Sequence, residues 1–154
     1  MIMHKQKGFS LIELLIVVAI ILIIAAIAIP NLIKSKMAAN ESSAVGSLRT
    51  ITTANIAYST ACPSIGFAAT LAELQVGATC PAAANEIDNT LSTGKKSGYS
   101  FLNYTVTGTP ATQFSVNADP QTTSSGTRHF FVDESGVIRA NSTAPAANTD
   151  NALQ

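Results

Sequence analysis

The sequence predicts an α+β fold: a long N-terminal helix, membrane-spanning in its first half, packed by its second half against a small four-stranded antiparallel sheet. Three observations carry this. From Phe9 to Ile29 the only polar side chains are Ser10 and Glu13. Beyond that run Met37, Ala44, Ile51 and Tyr58 recur every seven residues with Leu48 beside them, which is the spacing of one helical face. Between Tyr99 and Arg139 short aromatic and β-branched runs alternate with turn residues, the signature of strands.

A chain of 154 residues has room for one compact domain and an appendage. Nine basic and nine acidic side chains cancel, so no strong field draws the molecule as a whole onto nucleic acid, and the sequence does not support such a partner. At 1.5 Å per residue the run from Phe9 to Ile29 makes a helix ~30 Å long, enough to cross a bilayer. Lys5 and Lys7 precede it with no acid among the first eight residues, which holds that end in the cytoplasm and sends the rest across. Cys62 and Cys80 are the only cysteines and both fall in the exported part, where an oxidising compartment favours a disulfide.

Pro30 interrupts the apolar run, yet the helical pattern resumes beyond it, so one long, kinked helix is expected. Residues 9–30 form its apolar half and residues 31–61 its amphipathic half, with Lys34, Lys36, Glu41 and Arg49 on the polar back. After Ala61, Cys-Pro and a Gly-bearing loop end it. In the connecting region 62–98, Thr70 to Glu73 has capping-box spacing, and Asn85 to Leu91 puts Ile87 and Leu91 on one helical face ahead of Gly94. Strand signals fill 99–140: Tyr99, Phe101 and Tyr104 to Val106, then Phe114 to Val116, His129 to Val132 and Val137 to Arg139. Asp133 to Gly136 makes a short turn between the last two. Short links imply an antiparallel meander whose apolar face covers the helix stripe. Residues 141–154 have little to bury and are expected to be mobile.

Gly8-Phe9-Ser10-Leu11-Ile12-Glu13-Leu14-Leu15, followed by the apolar run to Pro30-Asn31, resembles the N-terminal signature of type IV pilins and pseudopilins. The resemblance covers about the first quarter of the chain. It implies the ladle fold of that family, a leader at residues 1–8, cleavage between Gly8 and Phe9 by a prepilin peptidase, and N-methylation of Phe9 by the same enzyme. It implies as partners other copies of the chain in a filament, an inner-membrane assembly platform, and membrane lipid before assembly. The precursor is then expected in the inner membrane with its head in the periplasm, and the product in an extracellular pilus serving adhesion, motility or DNA uptake. The short leader resembles that of the type IVa branch.

The physics of each position agrees with this reading. An ordinary signal is cut after its apolar core, which discards the core; a cut after Gly8 keeps it. A carboxylate at the centre of a spanning helix costs ~3 kcal/mol on insertion scales, less near the surface. Glu13 either snorkels to the headgroups or is protonated, or, as the resemblance implies, pairs with the Phe9 amine of a neighbouring subunit and sets the stagger between helices. Pro30 either kinks the helix or marks a segment that melts on assembly. Cys62 and Cys80 read as a staple and not as redox chemistry. His4 and His129 are far apart in sequence, no zinc spacing occurs, and no catalytic motif is visible. No cofactor is expected, and the Asp133–Glu134 turn is a candidate for calcium only by analogy with some pseudopilins. The competing readings are a type II secretion pseudopilin or minor pilin, an exported soluble binding protein cut after Ala28 at Ala26-Ile27-Ala28, and a tethered enzyme.

Overall fold

The computed structural model describes residues 8–153. Residues 1–7 of the leader expected at 1–8, with His4, Lys5 and Lys7, lie outside them. The chain divides into two compact units at the Ser35–Lys36 junction, and helix α1, Leu11–Ala61, is assigned without interruption across it and through Pro30. In the first unit the helix is exposed all round: Ile12 is 67% exposed, Ile16 51% and Ile23 63%. No side of this segment finds a partner among the described residues, as expected where lipid or other helices supply the surroundings.

In the second unit α1 buries one stripe. Ala44, Leu48, Ile51 and Tyr58 are fully buried, while Met37 is only half-buried. The stripe also carries polar residues: Glu41, Ser47 and Asn55 are buried. Glu41 therefore departs from the polar back on which its charge would place it; it lies three residues before Ala44 and so falls on the same face as the core.

The connecting region forms α2, Leu71–Val76, with Thr70 accepting from the Glu73 amide at its start and Gly77 in the left-handed conformation at its end. A 3₁₀ turn, Pro81–Ala83, follows. The helix expected over Asn85 to Leu91 shortens to α3, Asn89–Ser92, because Asp88 caps it by accepting from the Leu91 amide and Asn85 adopts positive φ. Ile87 and Leu91 are nevertheless both buried.

Among the described residues six strands form one antiparallel sheet where the sequence predicts four: β1 Lys95–Lys96, β2 Tyr99–Ser100, β3 Tyr104–Gly108, β4 Ala111–Pro120, β5 His129–Asp133 and β6 Arg139–Asn141. Strands β3 to β6 are the anticipated meander, with Val106 opposite Phe114, Val116 opposite Val132 and Phe130 opposite Ala140. The extra pair, β1 and β2, arises because β4 is ten residues long and its far end is free to pair Tyr99 with Pro120. The last strand shifts to Arg139–Asn141, since pairing of Phe131 with Arg139 sets its register. Gly136, at φ 72°, closes the intervening turn with its amide on the Asp133 carbonyl at 2.9 Å.

Alternation along the strands sends Phe114, Val116, Ala118, Phe130 and Val132 inward onto the α1 stripe, where they join Tyr99, Phe101, Leu74 and Leu91 in one core. Burial of the Phe, Val and Leu side chains among them contributes about 1.5–3 kcal/mol each. The segment after Asn141 is tied down, contrary to its composition. The Leu153 amide bonds the Ile138 carbonyl at 2.8 Å and the Ala140 amide bonds the Asn151 carbonyl at 3.1 Å, so it runs along β6 and satisfies that edge. Ala146 is buried, with its carbonyl on the Asn117 side-chain amide at 2.6 Å.

Candidate functional site at the N-terminal segment

Gly8, Phe9 and Ser10 are non-helical and exposed, ahead of the first turn of α1. Phe9 is 84% exposed, and a Cβ at Gly8 would meet no atom within 4 Å apart from its chain neighbours. The Gly8–Phe9 bond thus lies open in non-helical backbone. Ser10 stands at the cap of α1, where main-chain amides lack helical partners. Glu13 reaches back: its Oε2 accepts from the Ser10 amide at 2.9 Å. This is the reach-back half of a capping box, and a carboxylate in the first turn also faces the positive end of the helix dipole. The Ser10-x-x-Glu13 spacing is itself the sequence signal for this cap, though the charge of Glu13 in an apolar run is the more conspicuous feature.

The structure does not bring Phe9 and Glu13 of one chain into a hydrogen bond; Ser10 takes that place. Pro30 lies further along the exposed segment, where it removes the amide that would donate to Ala26. Cys62 and Cys80 are joined, with S–S 2.00 Å and Cα–Cα 6.1 Å, and tie the end of α1 to the turn after α2.

Two carboxylates whose tertiary partners carry no signal in the sequence organise the head. Glu41 Oε1 accepts from the Thr127 amide at 3.0 Å and the Arg128 amide at 3.3 Å, and its Oε2 from Arg128 Nε at 2.8 Å. Burial pushes this carboxyl upward, but the hydrogen bonds from Thr127 and Arg128 together outweigh it and hold the pKa below the usual glutamate value. Half-buried Glu73 accepts at Oε1 from the Thr79 amide and hydroxyl, both at 2.6 Å, and from Tyr58 at 3.1 Å. Here too burial raises the pKa and the bonds from Thr79 and Tyr58 bring it net down. Neither node is visible in the sequence, since each partner is set by tertiary packing.

His129 Nδ1 lies 2.6 Å from Asp119 Oδ1 on the neighbouring strand, a cross-strand pair. At the turn considered for calcium, Asp133 Oδ1 accepts from the Ser135 amide at 3.0 Å and from its hydroxyl. Among the described residues no three His, Cys, Asp or Glu side chains gather as a metal site would need.

Residues 3–29 match the family model of the prokaryotic N-terminal methylation motif. The chain is 50% identical over 54 residues to the type IV major pilin protein PilA of Myxococcus xanthus, a match covering 35% of this chain and 24% of that protein. It is 59% identical over 39 residues to the type IV wide pilus major component PilA4 of Thermus thermophilus, covering 25% of this chain and 30% of the relative. The matches thus span less than a third of either relative's length. No solved structure matches the chain significantly. The methylation motif and the likeness of the N-terminal segment to two pilins support a type IV pilin family for this chain, and a long apolar helix with an antiparallel sheet is consistent with the pilin fold.

Proposed function

We propose that the chain is a structural subunit of a type IV pilus and not an enzyme: a prepilin peptidase cuts Gly8–Phe9 and methylates the new terminus, and the retained helix polymerises into a filament. The observation that carries this is the helix itself. Its segment from Leu11 to Ile33 is apolar and exposed on every side, with Glu13 as the single carboxylate. Such a surface is stable in lipid or among like helices, and transfer between the two changes little in hydrophobic terms, so packing and charge decide.

Glu13 then supplies register. Cleavage gives Phe9 a positive amine, and an incoming subunit places it against Glu13 of a neighbour, while Leu, Ile, Val and Ala supply dispersion contacts along the seam. The precursor waits in the inner membrane with its head in the periplasm, meets the assembly platform there and leaves as part of an extracellular filament.

The test is mass spectrometry of the protein from membranes and from sheared surface filaments. The expected product begins at N-methylated Phe9. A product beginning at Ile29 would instead mean that the apolar helix is discarded, which is incompatible with polymerisation through it.

A further inference from the structure

The outward face of the sheet carries a groove of about 260 Å³ beside the β5–β6 turn, with Asn148 of the C-terminal segment as one wall. Its floor is a set of cross-strand pairs: the Thr105 and Ser115 hydroxyls lie 2.7 Å apart, and Thr107 donates to Gln113 Oε1 at 3.0 Å. The second pair occupies the Gln113 carbonyl and leaves its NH₂ group to solvent. Asp133 commits one carboxylate oxygen to Ser135 and keeps the other. Phe131, half-buried on the outward side of β5, is the aromatic surface of the groove, and no Lys or Arg among the described residues lines it.

These features select a ligand class. The absence of any lining cation, together with the carboxylates of Asp133 and Glu134, repels phosphate, sulfate and carboxylate ligands. A bare cation would leave the amide donors of Gln113 and Asn148 and the ring of Phe131 without a role. A ligand with alternating hydroxyl donors and acceptors and one apolar C–H face uses all of them: amides donate, carboxylates accept from vicinal hydroxyls, and the ring packs on the carbon face. We propose that this groove binds a neutral saccharide, one hexose unit at a time. The site is formed by a single chain and so stands or falls independently of the filament reading.

The probes are methyl glycosides of neutral hexoses and N-acetylhexosamines, titrated into the full chain in phosphocholine-detergent micelles, which contain no sugar. Amide resonances of Thr105, Thr107, Gln113, Asp133 and Asn148 are expected to shift together and saturate for at least one glycoside. The double substitution Gln113→Ala/Asn148→Ala, at residues outside the core, should leave the melting temperature in place and weaken binding about tenfold or more, the equivalent of ~1.4 kcal/mol. Three results overturn the proposal: no glycoside produces a saturating shift at these residues, the double variant binds like the parent, or calcium chloride alone moves the same resonances while the glycosides do not.

Discussion

Glu41 on α1 and Arg128, the residue before β5, 87 residues apart, hold the helix to the sheet through a 2.8 Å charged hydrogen bond, with Thr127 closing the same carboxylate from its amide and hydroxyl. The bond adds a directional tie between two layers whose apolar contacts are otherwise non-directional. Arg128 is partly exposed, so solvent screens its share of the energy.

This contact makes the head acid-sensitive in a defined direction. Because the folded state holds the Glu41 pKa below its ordinary value, its contribution is fully present above the ordinary glutamate pKa and is lost as pH falls through the lowered one. Glu41→Gln should cost about 1–2 kcal/mol at neutral pH and flatten the decline in stability below pH ~4.5. Thermal melts of both forms across that range check it; parallel curves for parent and variant would assign the acid response elsewhere.

A second buried node explains part of the head's specificity. Asn55 is fully buried, and its Oδ1 accepts from the Tyr104 hydroxyl at 2.8 Å and the Ala68 amide at 3.3 Å. Asn55→Ala strands the Ala68 amide and leaves the Tyr104 hydroxyl only the Ala68 carbonyl; it should cost about 2–3 kcal/mol, whereas Tyr104→Phe should cost about 1 kcal/mol. Denaturant titration of the two variants and the double variant should show coupling of about 1 kcal/mol. Strict additivity would mean that the two residues act separately.

The fold class is readable because its signals are local and repeated. Seven-residue recurrence of Ala44, Ile51 and Tyr58 marks a helix face, and Phe130 and Val132 alternate as strand residues must. Glu41 and Asn55 are opaque because a polar residue on an apolar stripe reads as surface until its tertiary partner is known. The C-terminal segment is opaque for a related reason: composition records how little it buries, but not the main-chain bonds Ile138 and Ala140 lend it. At the N-terminus Gly8, Phe9 and Glu13 are legible as a motif, while Ser10, whose contribution is a backbone amide, leaves no signal of its own beyond its spacing from Glu13.

The Cys62–Cys80 bridge closes a loop with a sequence separation of 18, for which chain entropy gives ~3 kcal/mol of stabilisation. Replacing both cysteines with Ser should lower the melting temperature of the head without altering the proposed cut at Gly8–Phe9, a bond that lies in the other compact unit. Non-reducing peptide mapping should recover the two residues as one linked peptide. Free thiols in protein purified without reductant would contradict the pairing.

Glu13 caps the helix and has a proposed second role in assembly, and paired substitutions tell the two apart. Its carboxylate caps the Ser10 amide within the chain, and in the proposed filament its charge receives the Phe9 amine of a neighbour. Glu13→Ala removes both, yet it makes the helix easier to hold in lipid, so insertion and cleavage should persist while filament yield falls at least about tenfold, a loss of ~1.4 kcal/mol in assembly. Glu13→Gln keeps an oxygen that can still accept from Ser10 but carries no charge. If charge sets the register, Gln should rescue little of the yield; if the cap is what matters, Gln should restore most of it. Immunoblots of sheared filaments beside mass spectra of the membrane fraction distinguish these outcomes, and normal filament yield from a strain expressing only the Ala form would remove Glu13 from the assembly mechanism altogether.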